Sequence, residues 1–166
     1  MRISDLKKLF WMIALAATLV RAAGEQVEIT SDRFEADERA LITKFLGHVH
    51  MKKGRDELHA DKVIVYFDAK RNPKRYEAIG HTSFVIVMKE GQLYTGKANR
   101  LVYLPATQRY ELYGAVVLKE PKMERTVSGE KVIVDKDTGR ASVEGGGNKP
   151  VKFIFRVEEN NASQNR

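Results

Sequence analysis

The side chains able to do chemistry here are few in kind, and their spacing does not build a catalytic centre. Four histidines are the first candidates for metal binding or proton transfer. His48 and His50 alternate onto one polar strand face, and His81 follows a glycine just as His48 does. Imidazoles so placed would meet across neighbouring strands and form a surface cluster, with solvated polar residues as the simpler reading. A closed zinc site wants four ligands, commonly thiolates, and the chain has no cysteine. That also removes a disulfide framework and a cysteine nucleophile. Carboxylates are plentiful, but none sits on an inferred inward face beside another, as paired acid and base would require. No Gly-x-Ser-x-Gly elbow, phosphate-binding glycine loop or metalloprotease helix is present, and Gly145–Gly147 precedes no helical pattern. The expectation is a protein with no enzymatic activity, no metal and no cofactor.

What the sequence does repeat is structural. Arg75-Tyr76-Glu77-Ala78-Ile79-Gly80 matches Arg109-Tyr110-Glu111-Leu112-Tyr113-Gly114, with weaker copies at Arg140–Gly145 and Lys44–Gly47. A second pattern runs in step with it: small, then Asp, Asn or Glu, then basic, then hydrophobic. Its copies are Ser31–Phe34, Ala60–Val63, Ala98–Leu101 and Gly129–Val132. Ordered copies of two interleaved patterns identify a repeat architecture. The unit is β: Lys62–Phe67 and Phe84–Met88 are rich in β-branched residues, and turn signals at Gly54, Asn72-Pro73, Gly91, Pro105, Pro121 and Gly139 separate the strands. No segment after the N-terminal region keeps a helical period. The second pattern breaks strict alternation and is expected to be a bulge or corner at which the strand changes direction, its acid and base satisfying each other.

Alternation assigns the faces. Phe45, Gly47, Val49 and Met51 share one side. So do Tyr76, Ala78, Gly80, Thr82, Phe84, Ile86 and Met88, and then Tyr110, Leu112, Gly114, Val116 and Leu118. Val63 and Val65 alternate in the same way. Each glycine falls with the large apolar residues and is expected to narrow or bend one level of the interior. An alternating apolar face of this kind serves equally as a lipid groove or as a dry sandwich core.

The N-terminus reads as a targeting segment. Arg2, Lys7 and Lys8 precede the apolar run Leu9–Val20, and Ala22, Ala23 and Gly24 follow. This is the layout of a secretory signal peptide, and the run is short for a membrane span. Residues 1–23 are therefore expected to be removed, residues 24–155 to form one β-domain, and 156–166 to be a disordered polar tail. Retention of the segment as an anchor is the alternative. The formal charge of +7 leaves a mild positive excess after the basic leader, which suits an anionic lipid or membrane surface. Nucleic acid is not an expected partner. After Gly145–Pro150, Val151–Phe155 reads as a terminal strand. A strand there and another at Val27–Ser31 would leave open edges able to add a second chain.

The signal peptide, Val27-Glu28-Ile29-Thr30-Ser31-Asp32, Gly47-His48-Val49 and Ala60-Asp61-Lys62-Val63 together resemble the OstA-like family. The likeness covers about residues 26–145, and its specific part is the repeat phase. It implies an all-β fold, a twisted open β-jelly roll built from antiparallel strand repeats, with an apolar groove. It implies a periplasmic carrier that holds the lipid A acyl chains of lipopolysaccharide. Such a carrier receives lipopolysaccharide from an inner-membrane extraction complex, passes it to an outer-membrane translocon and stacks head-to-tail as a homo-oligomer. The family's lipid-facing positions would fall on Val27 and Ile29, and inward parity adds Phe84. Alternation supplies Phe45, Val49, Met51, Val63, Val65, Ile86, Leu112, Val116 and Leu118. A membrane-tethered transport partner of the same family and a β-repeat scaffold with a dry core are the alternative readings.

Overall fold

The computed structural model describes residues 25–157; the expected signal peptide and nearly all of the expected polar tail lie outside them. The strands are β1 (Val27–Thr30), β2 (Arg33–Asp37), β3 (Ile42–Lys53), β4 (Asp56–Phe67), β5 (Pro73–Val87), β6 (Leu93–Leu104), β7 (Arg109–Glu120), β8 (Arg125–Asp135), β9 (Arg140–Glu144) and β10 (Lys152–Ile154). All pairings are antiparallel and follow chain order, β1-β3-β4-β5-β6-β7-β8-β10. β2 adds to the first half of β3, and β9 to the second half of β8.

Each long strand serves two layers. The pairing shifts register between Leu46 and Val49, Ile79 and Thr82, and Tyr113 and Val116. β1 pairs beyond the first shift, at His50–Lys53, and β2 before it, at Ile42–Leu46. β10 and β9 divide β8 in the same way. One layer thus runs from β1 to β10 and the other from β2 to β9, with the long strands bending from one into the other. Neither end pair closes the sheet, so the result is an open, twisted jelly roll.

The bend is built from two successive left-handed residues. Gly47, Gly80 and Gly114 have φ of 79°, 83° and 76°, and His48, His81 and Ala115 follow at 44°, 44° and 47°. A left-handed non-glycine residue costs about 1–2 kcal/mol, so the bend must be held from outside, and the second repeated pattern holds it. A Cβ on Gly47 would lie 2.3 Å from Asp32 Oδ2; on Gly80, 2.4 Å from Asp61 Oδ2; on Gly114, 2.6 Å from Asn99 Nδ2. The glycines therefore face the acid or amide of the adjacent strand at an exposed corner. They do not line the interior as alternation suggested, because the left-handed pair forms a bulge whose members face neither layer's core. Nor does each acid pair with the base beside it in sequence. Asp32 and Asp61 bond the Nδ1 atoms of His48 and His81, each at 2.7 Å. Gly145 is not left-handed, and the chain leaves the bend there, with Gly146 against Glu130.

Candidate functional site: the seam between the layers

The inward faces of the two layers meet in one apolar seam. Val49, Met51, Val63, Val65, Phe84, Ile86, Leu112, Val116 and Leu118 are buried in a single cluster, and Val27, Ile29 and Phe45 are half-buried against it. The structure thus brings together all twelve residues singled out by parity. Leu58, Ala60, Ala98, Leu101, Tyr103, Val132 and Val134 belong to the same cluster and were missed. They lie on β4, β6 and β8, which lack the left-handed glycine of the first pattern, although alternation on either side of the acid-base pattern would have found them.

The middle of the seam is filled by side chains: Val63, Leu112 and Val132 have no exposed surface. It opens at its ends. Beside β10, a cavity of about 260 Å³ is lined by Tyr94, Leu118, Val127, Ala141, Val143 and Phe153, with Glu120 and Arg125 at the rim. At the other end, Ala36, Leu41, Ile42 and Phe67 line a cavity of about 210 Å³. Phe153, at the first opening, is exposed, as are Ile154, Phe155 and Val157 at the same end of the chain.

Opposite the bend, a polar cluster ties the layers together. Asp56, at the β3–β4 turn, is buried. It accepts hydrogen bonds from the Val87 N–H at 2.8 Å in its own layer, and from the Tyr110 hydroxyl at 2.5 Å and Lys136 Nζ at 2.8 Å in the other. Tyr110 stacks on Tyr103 with centroids 4.6 Å apart. Lys53 Nζ lies 5.3 Å from the Tyr103 centroid and pairs with Glu25 at 2.5 Å, while Lys136 Nζ lies 5.9 Å from the Tyr110 centroid. Lys89 and Asp137 form a further pair between turns of the two layers. Burial, then the Asp56 carboxylate, pushes Tyr110 far above the normal phenol range. Burial raises Tyr103 as well. Burial opposes the charge on Lys53, yet its hydrogen bond to Glu25 and the neighbouring Tyr103 leave its pKa raised. None of these groups was singled out from the sequence as a link between layers. Sequence separations of 54 and 80 residues in the Asp56 bonds leave no local signal to find them.

The histidines fit the simpler reading of solvated polar residues: His48 and His81 are largely exposed and form no cluster with each other. His48 and His81 each stay with their own aspartate, while His50 stacks on His59 at 4.2 Å and approaches Glu57 Oε1 at 3.3 Å. The hydrogen bond and the charge of Asp32 raise the His48 pKa. On the outer face, Glu77 accepts from Arg75 at 3.1 Å, from Tyr66 at 3.2 Å and from Arg100, a self-contained network. Among the described residues no group of three or more His, Asp or Glu is placed to hold a metal ion, and no helix is long and apolar enough to cross a membrane.

A family profile described as LptA/(LptD N-terminal domain) LPS transport protein matches residues 28–140. Among solved structures, the chain is similar to the crystal structure of LptH, the LptA homologous periplasmic component of the conserved lipopolysaccharide transport device from Pseudomonas aeruginosa. The TM-score is 0.70 at 13% identity, with 80% of this chain and 96% of that chain covered. At that identity the likeness is one of fold. No curated protein matches the sequence.

Proposed function

The chain belongs to the LptA/LptD N-terminal domain family of lipopolysaccharide-transport proteins, and from that premise we propose that it is a non-enzymatic periplasmic carrier bridging the inner and outer membranes. The observation that carries this reading is the seam. A continuous apolar surface runs between two layers that the backbone joins along one side only, and it opens beside β10 into a largely apolar cavity. Acyl chains are stabilised by about 0.8 kcal/mol for each methylene taken out of water, so a lipid can hold the layers apart at the expense of their mutual packing. The sugars of lipopolysaccharide stay in water. Membership of a transport family favours binding and release over turnover.

The ends support the bridge. The sheet order terminates in β1 and β2 on one side and in β9 and β10 on the other. Such edges can add strands of another molecule. In this reading they join copies head-to-tail, and the terminal copies meet the inner-membrane extraction complex and the outer-membrane translocon. The full packing around Val63, Leu112 and Val132 favours a second reading, a scaffold with a permanently dry core.

One experiment separates the two. A photo-crosslinking amino acid is placed at Val65 or Leu118, facing the seam, and at Ile64 or Val117, facing outward. Lipopolysaccharide adducts at the first pair and not the second support the carrier. Adducts at neither pair in a folded protein refute it.

A further inference from the structure

The seam is shut where an acyl chain would have to pass, and what holds it shut on the side opposite the bend is polar. Asp56 belongs to one layer by its backbone and by its bond from Val87, but two of its three partners, Tyr110 and Lys136, belong to the other. Lys53 reaches from the first layer across the Tyr103 ring of the second while paired to Glu25. Two ammonium groups therefore flank one stack of two tyrosine rings, and each is neutralised by a single carboxylate.

A phosphate offers these groups what the carboxylates offer: anionic oxygens for an ammonium and for a phenol O–H. It can accept from Lys136 and Tyr110 together, both on the second layer, as Asp56 does. Exchange leaves Asp56 with its Val87 bond and removes the tie that Asp56 makes between the layers. A phosphorylated head that arrives with acyl chains thus brings both the anion that unties the cluster and the apolar mass that fills the opened seam.

Resting on the carrier reading above, we propose that Lys136 and Tyr110 form a binding site for the phosphorylated head of an acylated lipid, with Asp56 as the occupant it displaces and Lys53 as a second cation beside the same tyrosine stack. The site discriminates: an uncharged amphiphile has the apolar half of the interaction and cannot release the cations.

The test uses the purified full chain and calorimetric titration with three probes below their aggregation concentrations: n-decyl phosphate, n-decanol and inorganic phosphate. The wild type should bind decyl phosphate at least roughly tenfold more tightly than decanol, as two charge-assisted hydrogen bonds permit, and should not bind inorganic phosphate measurably. The double variant Lys53→Gln, Lys136→Gln should keep decanol binding and lose the preference. Asp56→Asn should strengthen decyl phosphate binding several-fold, whereas a purely structural Asp56 would weaken it along with the fold, followed by circular dichroism. Equal binding of the two amphiphiles, a preference that survives in the double variant, or inorganic phosphate binding as tightly as decyl phosphate would each overturn the site while leaving the carrier reading in place. Failure of both amphiphiles to bind would remove the carrier reading and the site with it.

Discussion

Replacing Thr82 by valine should make the protein more stable. Thr82 follows the left-handed pair Gly80-His81, and the same position in the other repeats is held by Val49 and Val116. It is 1% exposed, in the midst of the seam, and its Oγ1 has no hydrogen-bond partner. A buried hydroxyl without a partner costs about 1–3 kcal/mol. Valine has nearly the same shape, keeps the β-branch, and returns an apolar methyl to an apolar site. Thr82→Val is thus expected to raise the unfolding free energy by about 1–3 kcal/mol and the thermal midpoint by roughly 3–10 °C. Urea denaturation is the assay, read as a higher midpoint with an unchanged slope. The reverse change, Val116→Thr, should lower stability by a similar amount. If Thr82→Val left the midpoint unchanged or lowered it, the hydroxyl would have a partner and the equivalence of the three positions would fail.

Three further outcomes are expected. In an NMR titration His48 should have its midpoint above 6.5, and Asp32→Asn should bring it down. The pair's contribution is full below the unfolded-state pKa and fades as pH rises through the raised folded value, so a midpoint at or below 6.5 would contradict the Asp32 bond. Tyr110→Phe removes the hydroxyl donated to Asp56 and should cost about 1–3 kcal/mol in chemical denaturation; an unchanged midpoint would mean that Asp56 is satisfied without it. Gly80→Ala should cost clearly more than Gly91→Ala. Both glycines have positive φ, but only Gly80 is covered, by Asp61, whereas an added Cβ at Gly91 meets open space and costs about 1 kcal/mol of backbone strain. Equal costs would show that the aspartate gives way freely.

Most of the fold was legible because the repeat writes its own phase. The bend consumes residues in pairs, Gly47-His48, Gly80-His81 and Gly114-Ala115, so counting by twos passes through it undisturbed. Phe45 and Val49 both fall inward for that reason, and Leu112 and Val116 do the same. The same counting misplaced the glycines, since positive φ is a property of the backbone that parity does not contain. The acid-base pattern was rightly read as a corner but wrongly paired, because the partner of Asp61 lies on the next strand, at His81. The Asp56 cluster was illegible: its members sit at or near strand ends, far apart in sequence, and they meet only once the two layers are stacked.

The bend has a consequence for how long such a molecule can be. Its corner is a ladder of equivalent rungs, each consisting of a left-handed pair covered by one short polar side chain from the neighbouring strand. Duplicating a stretch of the gene that spans one strand pair would add one rung and one increment of apolar floor, and would leave both terminal edges as they were. Reach across a compartment is then set by the number of units encoded, and a change in that number requires no redesign of either end.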